Sequence, residues 1–367
     1  MMKRIYFLVL FVVFLLCISM AFGQLTWTAL TSLPFGRQMC GIAATQEAPY
    51  YLYVIGGNVA AGDPPNDVPD ANMDSLAVLC APISYTDGTI GSWSYVATLP
   101  NEDAGFYNFA YIENSCFCYK GFLYIAGGNT NSAESNRMVI TYAAINPADG
   151  TLGTIQTSIF SPPGNGESDN VCFAYNDRLY IIGGNDNTGT LQPYCYYAPI
   201  NPDGSVGAFV RDTDSDYPLG LWFHRGVVLE GYVYVMGGYD GAAAVTNVSS
   251  APINPDGSLG TWSAQAVLPA ARHDGAAWIY NGKVYYAGGT GYAISTYVAT
   301  ASAGVISSWG TDTDLPYARR RAGAINVENN VYLAGWRSSG TAIDVYVYGL
   351  VGALTPPASA KSWEIYR

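Results

Sequence analysis

Arginines stand at one register of this chain. The segments LPFGRQMC, LPAARHDG and LPYARRRAG place Arg37, Arg272 and Arg319 at the same offset from a Leu-Pro pair, and Arg320 and Arg321 follow the last of them. A fourth segment, YPLGLWFHRG, brings Trp222, Phe223, His224 and Arg225 to the same stretch; His273 follows Arg272, and Trp336 stands farther on. Guanidiniums gathered in an acidic protein make a local positive site for a carboxylate, sulfate or phosphate. A Trp beside Arg and His suits a sugar ring, which stacks on the indole while its hydroxyls take hydrogen bonds. The plainer role of a register-conforming Arg is to brace a neighbouring element through a backbone carbonyl or an Asp, and that of the Trp is ordinary packing. Arg225, Arg320 and Arg321 break the register and are the better ligand candidates.

Other chemistry is sparse. His224 and His273 are the only two histidines, in different columns and without a third ligand, so no metal or other cofactor is expected. The stretch with Asp63, Asp67, Asp70 and Asp74 reads as a solvated insertion, and the Asp212, Asp214 and Asp216 run as charges protecting a sheet edge, with Asp312 and Asp314 aligned to it. Six cysteines lie beyond Cys17, from Cys40 to Cys195, mostly where aligned segments carry Val, Ala, Ile or Tyr, which suits small buried thiols. No acid, base, nucleophile or metal constellation rises above the pattern, so no catalytic residues are assigned and a non-catalytic role leads.

The elements that must hold these residues repeat. Six runs rich in β-branched and aromatic residues end in a glycine doublet or its remnant: YLYVIGGN, FLYIAGGN, RLYIIGGN, YVYVMGGY, KVYYAGGT and NVYLAGWR, with the doublets at 56, 127, 183, 237, 288 and 335. Two strands joined by a turn such as Asn281-Gly282 fit before each doublet, a third follows it, and a Pro-Asp-Gly turn leads to a fourth. Six units of four antiparallel strands, with spacing that varies through loop length, predict an all-β, six-bladed β-propeller. The loops after each doublet and those leading into each innermost strand emerge on one face, around the mouth of the central channel, which puts the Arg, Trp and His candidates there.

The doublets, the aromatics after them (Tyr142, Tyr196, Tyr297, Tyr346) and the spaced Trp93, Trp262 and Trp309 resemble the kelch repeat. Ile155 and Phe209 replace the Trp in two blades, and Trp336 replaces a doublet glycine. The resemblance implies a binding or interaction module that offers its upper face to a glycan or protein ligand, acidic ligands included. It also implies an alternative, since kelch-type six-bladed propellers include periplasmic sialate mutarotases, carbohydrate epimerases that an arginine-lined mouth would suit. A copper radical oxidase of the galactose-oxidase kind would need two His, two Tyr and a Tyr-linked Cys around one axis, whereas here the cysteines and histidines lie in different blades.

Closure raises a conflict. The segment Leu25 to Pro34 matches the fourth-strand cassette, yet Lys361 to Arg367 matches it too. We expect the N-terminal copy to complete the last blade, because it runs straight into the first blade with no linker; its pairing there would join the chain ends and remove a free sheet edge.

Residues 1–23 read as a secretory signal: Lys3 and Arg4, an apolar run, then Ala21 and Gly23 before a cut at Gln24. The propeller then spans 24–367, a secreted monomer, periplasmic or extracellular, with no membrane span once the signal is removed. With Lys3 and Arg4 gone, 14 basic residues face 28 acidic ones, so nucleic acid is excluded as a partner. Mass spectrometry of the exported chain should find Gln24 at its N-terminus; residues preceding Ala21 would overturn the assignment.

Overall fold

Alternating β-branched and aromatic residues form the strands, and glycine-containing turns fix where they reverse. The computed structural model describes residues 26–34, 40–57, 76–84, 87–100, 116–126, 138–160, 169–186, 190–337 and 345–349. After β1 (Thr26–Ala29), blade 1 comprises β2 (Gly41–Ala44), β3 (Tyr50–Ile55), β4 (Ala77–Ile83) and β5 (Ser94–Thr98). Blade 2 is β6 (Cys116–Tyr119), β7 (Phe122–Ala126), β8 (Met138–Ala144) and β9 (Gln156–Phe160). Blade 3 is β10 (Val171–Tyr175), β11 (Arg178–Ile182), β12 (Cys195–Pro199) and β13 (Val210–Arg211). Blade 4 is β14 (Arg225–Leu229), β15 (Tyr232–Met236), β16 (Val248–Pro252) and β17 (Ser263–Ala264). Blade 5 is β18 (Ala276–Tyr280), β19 (Lys283–Ala287), β20 (Thr296–Ser302), β21 (Val305–Ile306) and β22 (Gly310–Asp312). Blade 6 is β23 (Arg319–Val327), β24 (Asn330–Arg337) and β25 (Val345–Gly349), closed by β1.

Each sheet is antiparallel and runs outward in chain order, and blade 5 alone divides its outer edge between β21 and β22, both paired to β20. This is a six-bladed β-propeller. The N-terminal strand closes it: Trp27 pairs with Tyr348 and Ala29 with Tyr346, and the Trp27 ring meets Trp278 of blade 5 edge-on at 5.9 Å. The competing Lys361 to Arg367 copy lies outside the described residues, as do the signal segment, Arg37 and the Asp63 to Asp74 insertion.

Two sets of polar contacts join blade to blade across apolar interfaces. Tyr53, Tyr124 and Tyr180, in the second strands of blades 1 to 3, donate their buried hydroxyls to the turn carbonyls of Gly150, Gly204 and Gly257 in the next blade, at 2.8, 2.9 and 2.9 Å. Tyr332 of blade 6 does the same to Gly88 of blade 1 at 2.9 Å, which continues the series across the closure. The Pro-Asp-Gly cassette is therefore a latch as well as a hairpin turn. Within it Asp203 Oδ1 accepts from Ser205 N and Oγ, fixing the turn from its own side chain. In the other direction Trp93, Trp262 and Trp309 donate their indoles to the carbonyls of Thr31, Ser215 and Ala266 in the preceding blade. Tyr285 departs from the column and donates to Asp312 Oδ2 at 3.2 Å.

The doublets serve the same assembly. Gly237 adopts φ 61, and a Cβ there would stand 2.5 Å from the Arg272 carbonyl oxygen of blade 5. Its neighbour Gly238 donates its N–H to that same carbonyl at 2.8 Å.

The described cysteines are buried thiols without disulfides; burial pushes the Cys80 thiol up to about 12. The Asp212 run does more than guard an edge, because buried Asp212 accepts the Leu259 N–H of blade 4 at 2.6 Å.

Gly204 tests the latch. Its φ is 84 and a Cβ there would collide with the Phe122 ring. Gly204→Ala should cost on the order of 2 kcal/mol or more, and Tyr124→Phe, which orphans the carbonyl that its hydroxyl serves, about 1 kcal/mol. Chemical denaturation showing the reverse order would mean that the glycine is dispensable.

Candidate functional site

The chain enters the innermost strands of blades 3, 4 and 5 through Asp169, Phe223 and Asp274, non-glycine residues in the left-handed region at φ 55, 57 and 58. In blade 6 Arg321 does so at φ 57, at a bulge where the register of β23 on β24 shifts between Arg319 and Ala322. Such backbone costs on the order of 1 kcal/mol per residue and persists only where the surroundings impose it. Here the imposition is visible: Asp274 N donates to the Phe223 carbonyl at 3.1 Å and Arg321 N to the Asp274 carbonyl at 2.8 Å. The kink hooks blade 5 onto blade 4 and blade 6 onto blade 5, and brings these side chains together at the channel mouth.

Asp274 is the centre. It has no exposed surface, and its Oδ2 accepts from His273 Nδ1 at 3.0 Å, Arg320 Nε at 2.9 Å and Arg321 Nε at 3.4 Å. Burial alone would push its carboxyl up, but the His273 hydrogen bond and the Arg225 and Arg321 guanidiniums outweigh it and hold the group down at about 2. Its Oδ1, also buried, has no hydrogen-bond partner among the described residues.

Half-buried Asp169 accepts from the Trp222 indole at 2.7 Å. Burial, reinforced by the charge of Asp274, pushes its carboxyl up to about 6, against the lowering pull of the Trp222 hydrogen bond, Arg225 and Arg321. Two carboxyls in one mouth are thus driven apart by their surroundings. The aromatic wall is continuous: Trp222 stacks on Phe223 at 4.7 Å, Phe223 on His273 at 5.8 Å, and Tyr239 meets His273 edge-on at 5.6 Å. The Arg321 guanidinium lies 5.2 Å from the centre of the Phe223 ring.

No family model matches the chain. A stretch of 180 residues is 25% identical to Kelch-like protein 35 of Mus musculus, covering 49% of this chain and 29% of that protein. The chain is a kelch-repeat β-propeller. It spans less than a third of the length of that curated relative. A solved structure described as "Structure of YjhT" superposes with a TM-score of 0.61 over 87% of this chain and 96% of that one, at 13% identity, which shows a shared fold alone.

The kelch propeller separates the sequence candidates by exposure. Trp222, Arg272, His273, Arg320 and Arg321 are half-buried, and all but Arg272 join the cluster around Asp169 and Asp274. Arg272 bonds the Ala271 carbonyl and Ser295 Oγ in its own blade. Arg319 has no exposed surface, donates to the Gly335 carbonyl and lies 5.2 Å from the Tyr346 ring centre, so it braces blade 6. Arg225 corrects the expectation that a register-breaking arginine reaches the ligand: it is buried, bonded to the Gly275 and His224 carbonyls. His224 is fully buried on the Ile182 carbonyl, 2.9 Å from Nε2. Of Trp336 only the strand position in β24 is described. Asp169 and Asp274 are absent from the sequence candidates because neither lies in an acidic run. The available signal was positional: each aligns with Phe223 and Arg321, one residue type per blade at the kink.

Burial, with a smaller push from Arg225, drives the His224 imidazole down to about 4, against the Ile182 hydrogen bond. Folded His224 thus binds fewer protons than the unfolded chain, and its contribution is lost as pH falls from about 6.5 to 4, by up to about 3 kcal/mol. Asp169, raised to about 6, has the opposite sign over the same window, so total stability conceals both effects. The stability of wild type relative to His224→Gln should therefore fall by up to about 3 kcal/mol between pH 7 and pH 4 in paired urea melts. A difference that is flat with pH would place a charged imidazole in the core.

Proposed function

We propose that this kelch propeller is an exported ligand-binding module whose upper mouth takes a carboxylate-bearing carbohydrate. The observation that carries the reading is the composition of the mouth. Among the described residues three guanidiniums, Arg225, Arg320 and Arg321, surround two carboxyls, one of them pushed up to about 6. The excess is positive in a chain whose formal net charge is −12. Arg320, with 28% of its side chain exposed, offers the most accessible guanidinium of the cluster for a bidentate contact. Trp222 and Phe223 add the apolar faces on which a sugar ring packs. Buried Asp274 orients both Arg320 and His273, so these groups are held in place before a ligand arrives.

One observation favours a second reading, the carbohydrate epimerase or mutarotase. Asp274 holds the His273 Nδ1, which leaves Nε2 as the ring nitrogen without a partner among the described residues, while burial pushes the Asp169 carboxyl up to about 6. A paired base and acid beside a sugar is what ring opening and reclosure at an anomeric centre need.

Calorimetry and NMR with N-acetylneuraminate, glucuronate and glucose separate these readings. Glucuronate or N-acetylneuraminate should bind more tightly than glucose, binding should weaken with added salt, and Arg320→Gln should lose about tenfold in affinity for the acidic sugar, about 1.4 kcal/mol, at unchanged stability. Equal binding of glucose, or an Arg320→Gln variant that binds as wild type does, would sink the acidic-ligand reading. Exchange NMR on the two anomers decides the second reading, which fails if the protein does not accelerate their interconversion.

A further inference from the structure

The mouth holds two carboxyls in unequal circumstances. Asp274 is bound by His273, Arg320 and Arg321 and is fully buried. Asp169 instead receives the neutral indole of Trp222 at 2.7 Å. The charged groups that face Asp169 come from three blades: Arg225 of blade 4, Asp274 of blade 5 and Arg321 of blade 6. An added anion would share those guanidiniums and raise the cost of keeping both carboxyls ionised.

We infer that Asp169 couples ligand to proton: an anion entering the mouth is accompanied by one proton from solvent, taken up on the Asp169 carboxyl, so that the site loads in mildly acid surroundings and releases as they become alkaline. The inference rests on the acidic-ligand reading above and adds its regulation. The direction follows from linkage. A carboxyl already raised to about 6 is mostly ionised at pH 7 and 8, and a bound anion raises it further. Affinity therefore climbs as pH falls toward 6 and levels off below it. The Trp222 stack supplies the structural arm, because the same indole that caps Asp169 packs on Phe223, and Phe223 on His273. Any change at the carboxyl is felt along the ligand-facing wall.

The test is calorimetric titration of the full chain with sodium glucuronate, and separately with sulfate, whose charge is constant over this range. Titrations run at pH 6, 7 and 8 in two buffers of different ionisation enthalpy. Wild type should take up a fraction of a proton, largest between pH 6 and 8, and lose about fivefold in affinity across that span for each unit by which the ligand raises Asp169. Asp169→Asn keeps an acceptor for the indole and tolerates a left-handed backbone. It should bind with the high affinity of the acid limit at all three values, with no proton uptake. His273→Gln alters the other titratable side chain of the wall; whatever affinity it retains should still strengthen toward pH 6 with proton uptake. Binding without proton uptake, a response that survives in Asp169→Asn, or one abolished by His273→Gln would overturn the coupling while leaving the acidic-ligand reading intact. Failure of both probes to bind wild type at any pH would remove that reading and the coupling with it.

Discussion

A hydroxyl-to-carbonyl bond, repeated from blade to blade, is the contact on which the architecture depends. Apolar packing between blades is non-directional and would tolerate a slip of one sheet along another. The tyrosine in the second strand has to meet one carbonyl in the neighbouring turn, and both partners are buried. Leaving either unpaired costs more than forming the bond gains, so the contact acts chiefly against misregister. The Tyr332 to Gly88 bond extends this to the seam, where blade 6 meets blade 1.

A scaffold indexed in this way can carry strain at its rim. The left-handed residues Phe223, Asp274 and Arg321 are held in place by N–H to C=O bonds that link blades 4, 5 and 6. Their side chains then vary freely from blade to blade: a carboxyl, a phenyl ring, a second carboxyl and a guanidinium occupy equivalent places in blades 3 to 6. The symmetry of the backbone is thereby converted into an asymmetric site, in which identical geometry presents different chemistry at each step around the axis.

The sequence made the fold legible because its periodic residues are those with strict geometric duties. Glycine doublets, Pro-Asp-Gly turns and spaced tryptophans each answer to a φ angle, a close approach or a donor position, and so they recur. Closure by Leu25 to Pro34 was also readable, although only the pairing of Trp27 with Tyr348 distinguished it from the rival copy as the strand on β25. The mouth was half legible. Arg320 and Arg321 stood out through breaking the register, and the bulge in β23 accounts for both. Arg225 broke the register too, yet it turns inward to carbonyls, because the sequence does not say which way a kinked backbone aims its side chains. Asp169 and Asp274 were hidden for a related reason: a single acid per blade looks like background until the loops are superposed at the kink.

The strand that closes blade 6 is made before the blades and used after them. During synthesis β1 emerges ahead of every blade, while β25, its partner, begins at Val345. While the blades between them are being made, β1 has an unpaired edge and a Trp whose packing surface does not yet exist. The completed ring is thus a statement about the whole chain: blades 1 to 5 can assemble by short-range contacts in order of appearance, whereas the clasp forms only when the ribosome has finished with nearly all of them. A truncated product would retain much of its sheet structure and still present an open edge, which is the form that quality-control proteases and aggregation both recognise.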